Sequence, residues 1–347
     1  MRTLMRDAVA LVRAGDLQAA TAAIQAALNP ASSAAPANRS AATPAGDIID
    51  VDARPLHSPP PEQPGDAGAF VTGRYGDGRA QREYRLYVPP QAGHGPLPLV
   101  VMLHGCTQDP QDFAAGTRMN EAARRHGCFV LYPAQTRQAN PQGCWNWFKH
   151  SHQARGRGEP AWLAAMTRHV MARHAIDASR VYVAGLSAGG AMAAILGGAY
   201  PDLFAAVGVH SGLASGSAKD LPSALAAMRS GAAGPAGSTI PTIVFHGDAD
   251  ATVHPGNGQH VVAAAMGASQ PRPDVEQQRG DAGRSYTRTV HRSPEGAVLA
   301  EHWVVHGSGH AWSGGSREGS YTDPAGPDAS GEMLRFFLQH PRAMGTT

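Results

Sequence analysis

The 347-residue sequence contains no run of about 18 apolar residues, so no membrane span is expected. Neither sign of charge is in surplus. The 29 Lys and Arg against 27 Asp and Glu leave a net charge of +2, which speaks against a nucleic-acid footprint. Cysteine is scarce: Cys106, Cys128 and Cys144 are too few for a disulfide scaffold. They contain no C-x-x-C pair, which removes the usual zinc spacing. The N-terminus forms no signal-peptide h-region, because Arg6, Asp7 and Arg13 interrupt its apolar stretch. A cytoplasmic protein is the expectation on that ground. No internal repeat is evident.

What is present is organised around Val181–Ile195. Val181-Tyr-Val-Ala-Gly-Leu is short, apolar and β-branched, which reads as a buried strand. The small apolar residues after Ser187 run to Tyr200, before Pro201, and read as a helix packed close to a sheet. Between them stands Gly185-Leu186-Ser187-Ala188-Gly189, a G-x-S-x-G match. A serine at such a strand-to-helix turn projects its hydroxyl out of the sheet. The helix N-terminus behind it favours developing negative charge. Ser187 is therefore the candidate nucleophile.

Upstream, Leu4, Ala8, Leu11, Leu17, Ala20, Ile24 and Leu28 recur at helical spacing, which predicts an N-terminal helical segment over 1–28. It serves either as a docking element or as an accessory helix. Residues 29–67 are rich in Pro, Ala and Ser and read as a linker. The catalytic domain is expected over 68–342. It opens with a hairpin (69–75 and 82–88, turning at Gly76-Asp-Gly78), then a core strand over 98–103 and a helix over 111–126. A strand over 128–132, a helix over 160–174, a strand over 205–209 and a possible helix near 223–228 follow. A strand over 242–245, a hairpin pairing 285–290 with 297–305 and a closing helix over 329–339 complete the alternation. The expected fold class is α/β, with a mostly parallel sheet and helices on both faces.

A serine hydroxyl needs an adjacent base, itself held in one tautomer by an acid. The acid is sought in His246-Gly-Asp248-Ala-Asp250, after the 242–245 strand, with Asp250 preferred and Asp248 second. The base is His310 in His306-Gly-Ser-Gly-His310, where the glycines free the loop to aim an imidazole. His302 and His306 lie on or at the end of the strand, where packing or solvent is expected. The chain order Ser, Asp, His agrees with the strand–turn–helix reading. Two backbone N–H groups are expected to face the oxyanion: Ala188, and Cys106 in His104-Gly105-Cys106 after the core strand. Trp145, Trp147 and Trp312 lie in loops near these groups and are candidate substrate contacts, with plain core packing the reading that stays open beside it for Trp147.

Taken together, these motifs resemble the polyhydroxybutyrate-depolymerase-type esterases, related to feruloyl and acetylxylan esterases. The resemblance rests on Leu-His-Gly-Cys-Thr-Gln (103–108), Cys-Trp-Asn-Trp-Phe (144–148), Gly-Leu-Ser-Ala-Gly-Gly (185–190) and His-Gly-Asp-Ala-Asp-Ala-Thr-Val (246–253). Gly-Ser-Gly-His-Ala-Trp-Ser-Gly-Gly (307–315) and Thr-Asp-Pro-Ala-Gly-Pro-Asp-Ala-Ser (322–330) complete it. It implies an α/β-hydrolase fold, ester hydrolysis without metal or organic cofactor, and the triad Ser187, Asp250 and His310. It also implies that the Cys106 and Cys144 loops meet, which allows a disulfide there; Cys128, on an apolar strand, reads as a buried core thiol. The expected partner is a small-molecule or polymeric ester, with short hydroxyalkanoate oligomers ahead of crystalline polyester because no polymer-binding domain is read. Many such esterases are secreted, which sets an extracellular location beside the cytoplasmic one. The competing readings are a feruloyl or acetylxylan esterase, an acyltransferase or peptidase on the same fold, and an inactive binding module. The sequence leaves the oligomeric state open.

Overall fold

The structure, a computed structural model, describes residues 67–76, 81–235, 240–267, 272–279 and 283–343. The helical segment expected over 1–28 and the linker over 29–67 lie outside these residues, apart from Ala67. The turn expected at 76–78 is described only at Gly76.

Continuous apolar runs form the middle of one sheet, because a strand covered on both faces can carry no polar face. These are β3 (Leu97–Leu103), β4 (Phe129–Pro133), the second half (181–186) of β5 (Ile176–Leu186), and most of β6 (Ala206–His210) and β7 (Thr242–Gly247). More polar strands flank them: β1 (Ala69–Tyr75) and β2 (Arg82–Val88) on one side, β8 (Arg272–Arg279), β9 (Ser285–Arg292) and β10 (Val298–Val305) on the other. The ten-stranded order is β1-β2-β4-β3-β5-β6-β7-β10-β9-β8. Pairing is parallel from β4 through β10 and antiparallel at both ends. Two short strands, β11 (Trp312–Ser313) and β12 (Thr322–Asp323), form a separate parallel pair.

Seven helices are described: α1 (Pro110–Thr117), α2 (Met119–His126), α3 (Gly158–Met171), α4 (Ala188–Ala199), α5 (Leu221–Ser230), α6 (Gly256–Met266) and α7 (Ala329–Leu338). They cover both faces. Leu163, Ile195, Val207, Val244 and Val262 pack in one layer, and Phe113, Tyr132, Tyr182, Phe245 and Phe337 in the other. This is the α/β-hydrolase architecture. No helix among the described residues is long and apolar enough to cross a membrane. Cys128 is a buried free thiol, and burial pushes its pKa up to about 12.

Three local differences from the sequence reading have physical causes. The helix expected over 111–126 is two helices, because Arg118 takes a left-handed conformation (φ 53°) that ends α1 and starts α2. Strand β8 has no apolar alternation to announce it, since Arg-Pro-Asp-Val-Glu-Gln-Gln-Arg occupies a sheet edge. Helix α6 opens on Gly256 and has no side-chain cap, so the usual start signal is missing.

Candidate active site

The serine turn is built by close backbone approach. A Cβ on Gly189 would lie 2.0 Å from the Leu103 carbonyl oxygen, and one on Gly185 would lie 2.4 Å from Gly189 C. Only glycine lets β5 and α4 approach β3 this closely. Ser187 sits between them at φ 58°, a strained conformation of the kind that collects at functional sites. Its N–H donates to the His210 carbonyl at 2.9 Å, which ties the turn to the end of β6.

The two aspartates that the sequence leaves in competition have different partners. Asp250 is buried, and its Oδ2 accepts from His310 Nδ1 at 2.7 Å. A carboxylate only accepts, so the proton sits on Nδ1 and leaves Nε2 able to act as a base. Asp250 Oδ1 accepts from the N–H groups of Thr252 and Val253, at 2.9 and 2.8 Å. His246 Nε2 lies 3.4 Å from Asp250 Oδ2 and donates to the Val253 carbonyl. Burial alone would raise the Asp250 carboxyl. The hydrogen bonds from His246 and His310, the charge of His310 and the Val253 N–H outweigh it and hold the carboxyl far below the usual range. Asp248 instead pairs with His306 Nδ1 at 2.8 Å, in an exposed contact. An exposed pair of this kind contributes little. Asp248→Asn is expected to leave esterase kcat within about twofold; a large loss would move the acid to Asp248.

Ser187 Oγ makes no hydrogen bond to His310 among the described residues. Such contacts are often long before substrate binds. The two segments are joined through His210, a residue the sequence reading passed over. His210 Nε2 accepts from Ser313 N at 3.0 Å, and its ring stacks on Trp312 with centroids 5.0 Å apart. The backbone contact to Ser187 completes the link.

Burial, reinforced by the charges of His246 and His310, pushes His210 down to about 3. Burial likewise lowers His302 to about 4. Both are neutral when folded, whereas an unfolded imidazole titrates near 6.5. The unfolded state therefore takes up protons first as pH falls below about 6.5, and stability falls with it. By pH 5 each histidine is expected to have removed about 2 kcal/mol. The Asp250 window is separate and lies lower, below the usual carboxylate range. Urea midpoints at pH 7 and pH 5 check this, and equal midpoints would contradict neutral burial.

The loop after β3 is fixed from several sides. Gly105 N donates to Gln108 Oε1 at 2.9 Å and Thr107 N to the Gln142 carbonyl at 2.8 Å, with the Cys106 N–H between them. Cys106 is joined to Cys144 by a disulfide across 38 residues. Gln108 Nε2 donates to Asp112 Oδ2 and to the Ser320 carbonyl. Glu159, also missed in sequence, is buried under the aromatic loop. It accepts from Asn146 N, Asn146 Nδ2 and Gln135 Nε2 at 2.6 to 2.7 Å. Burial raises its carboxyl, but bonds from His152, Asn146 and Gln135 bring it below the ordinary value.

The tryptophans require a correction. Trp145, Trp147 and Trp312 are 0%, 5% and 1% exposed, so they pack within the wall of the site instead of forming an open surface for substrate. Trp145 Nε1 donates to the His104 carbonyl and Trp312 Nε1 to Ser330 Oγ, so each indole also satisfies its polar atom inside. Trp145→Ala is expected to cost about 3–5 kcal/mol of stability. Thermal unfolding checks it, and an unchanged midpoint would return Trp145 to the list of substrate contacts.

A sequence profile of the esterase PHB depolymerase family matches residues 82–270, just over half of the chain. The chain belongs to the esterase PHB depolymerase family. The matched segment carries Ser187, Asp250, Cys106 and Cys144; His310 lies beyond it. Among relatives of the family, poly(3-hydroxyalkanoate) depolymerase C of Paucimonas lemoignei is 33% identical over 231 residues, covering 61% of this chain and 54% of that protein. Feruloyl esterase B of Thermothelomyces thermophilus is 34% identical over 151 residues, covering 43% of this chain and 50% of that protein. The chain thus spans about half the length of these two relatives. In fold, an acetyl xylan esterase from Aspergillus awamori superposes with a TM-score of 0.56 at 22% identity, covering 69% of this chain and 94% of that one.

Proposed function

We propose that the chain is a serine esterase that hydrolyses carboxylic esters through Ser187, His310 and Asp250. The observation that carries this reading is the 2.7 Å pair of buried Asp250 with His310, in loops after the carboxyl ends of β7 and β10, with the strained Ser187 turn after the carboxyl end of β5 in the same parallel sheet. His310 Nε2 takes the Ser187 hydroxyl proton as Oγ attacks the ester carbonyl carbon. The oxyanion that forms faces the N–H groups of Cys106 and Ala188. Collapse breaks the bond to the alcohol, which leaves with the proton from His310. Water then attacks the acyl-enzyme by the same route, releasing the acid and restoring Ser187.

For the substrate class we infer short hydroxyalkanoate oligomers and small acyl esters, supported by the depolymerase relative. The feruloyl and acetylxylan esterase relatives favour a carbohydrate-ester reading as the alternative. Initial rates on hydroxybutyrate oligomers, feruloyl esters and acetylated xylan, with p-nitrophenyl esters as reference, decide between them. A kcat/KM highest on hydroxybutyrate oligomers is the expected result. Turnover of p-nitrophenyl esters with preference for feruloyl or acetylxylan substrates would overturn the substrate class and leave the chemistry standing.

A further inference from the structure

Five non-glycine residues among those described have positive φ: Thr107, Arg118, Ser187, Ser211 and Tyr321. Arg118 separates two helices, and Ser187 and Ser211 lie at the serine turn and just past His210. Thr107 (φ 66°) and Tyr321 (φ 52°) remain, and they touch: the Tyr321 hydroxyl lies 3.1 Å from Thr107 Oγ1. A β-branched or bulky side chain in this region is a genuine outlier and persists only where its surroundings over-determine it.

The surroundings of Tyr321 do so. Its carbonyl accepts from Trp312 N at 2.7 Å. On one side Ser320 is bound through N and Oγ to the Asp112 carboxylate, at 2.8 and 2.6 Å. On the other side Thr322 and Asp323 pair with Trp312 and Ser313. Asp323 Oδ2 accepts from Ser308 Oγ and Arg284 Nε, both at 2.6 Å. Segment 320–323 therefore spans from the loop that carries Cys106 to the loop that carries His310. The Thr-Asp motif at 322–323 belongs to this strap.

The strap holds one aromatic ring outward. Tyr321 is 46% exposed, and the other large exposed apolar residues among those described, Val71 and Val275, lie on the outer strands β1 and β8. A lone exposed tyrosine is ordinary. One kept outward at a conformational cost, between the two loops of the site, is not. Its hydroxyl is engaged by Thr107, so the polar end faces the protein and the ring remains for contact.

We propose that Tyr321 is a specificity-determining residue whose exposed ring contacts apolar or aryl groups of the ester. This rests on the esterase reading above. A flat aromatic face suits alkyl chains and rings better than charged groups.

The test compares the intact chain with Tyr321→Ala and Tyr321→Phe on two ester series. One extends the acyl chain from acetate to octanoate on p-nitrophenol. The other extends the alcohol from ethyl to 2-phenylethyl on acetate. In Tyr321→Ala, the ratio of kcat/KM for the largest to the smallest member of one series is expected to fall about tenfold, through KM. Tyr321→Phe, which keeps the ring, is expected to keep the ratio. Flat ratios in both series, or an equal loss of ratio in Tyr321→Phe, would overturn the proposal and make the residue a clamp on Thr107. A wild-type chain with no turnover in either series removes the esterase reading together with this one. An active wild type with flat ratios removes this one alone.

Discussion

Asp250→Asn is expected to lower kcat about 10⁴-fold while leaving the fold intact. The amide keeps an oxygen for the N–H groups of Thr252 and Val253, which now bind Oδ1. Its NH₂, however, replaces the acceptor that His310 Nδ1 meets at 2.7 Å. The imidazole must then place its proton on Nε2, where it can no longer receive one from Ser187. Ser187→Ala and His310→Ala are expected to fall by similar or larger factors. The double variants should be little worse than the worst single one, because the three groups act as a unit. Steady-state kinetics with a thermal-unfolding control checks this. A loss under about tenfold in Asp250→Asn would remove Asp250 from the proposed triad.

Removing the Cys106–Cys144 bridge is the second large effect expected. Cross-linking residues 38 apart removes loop-closure entropy worth about 4 kcal/mol from the unfolded chain. Cys144→Ala is therefore expected to lower Tm by about 10 °C. It leaves the Cys106 N–H in place chemically but frees its loop on one side. The Gln108 and Thr107 contacts still hold the other side, so kcat is expected to fall about tenfold, short of the 10²–10³ that follows loss of a whole oxyanion donor. Unchanged Tm and kcat in Cys144→Ala would show that the bridge neither stabilises nor preorganises. The bridge also bears on location, because thiols stay reduced in the cytosol. Alkylation before non-reducing peptide mapping, on protein taken from its native compartment, reads the state of the pair directly.

The serine turn was legible because its signature is local: a short apolar strand, two glycines and a small-residue helix within 15 consecutive positions, although the contacts that hold it reach Leu103 and His210. The parallel core was legible for the same reason, since β3 and β4 are uninterrupted apolar runs. Asp250 and Asp248 were not separable this way. They stand two residues apart, and what distinguishes them is a partner 60 residues on for one and 58 for the other. His210 left no local signal either, since its role depends on Ser313, 103 residues away. The tryptophan motif was visible, but whether an indole faces substrate or core depends on what covers it, and Trp145 is covered completely. Gln108 and Asp323 lay inside motifs that could be quoted from the sequence, yet the contacts of Gln108 with Ser320, and of Asp323 with Ser308 and Arg284, exist only in three dimensions.

The central claim is that Ser187 is the nucleophile activated by His310. Sulfonylation by phenylmethanesulfonyl fluoride followed by peptide mass spectrometry tests it most directly, since the Ser187 oxygen would form the new bond to sulfur as fluoride leaves. A stoichiometric adduct on the peptide carrying Ser187, lost in Ser187→Ala and slowed at least about 10³-fold in His310→Ala, is the predicted result. An adduct on another serine, with turnover surviving in Ser187→Ala, would contradict it.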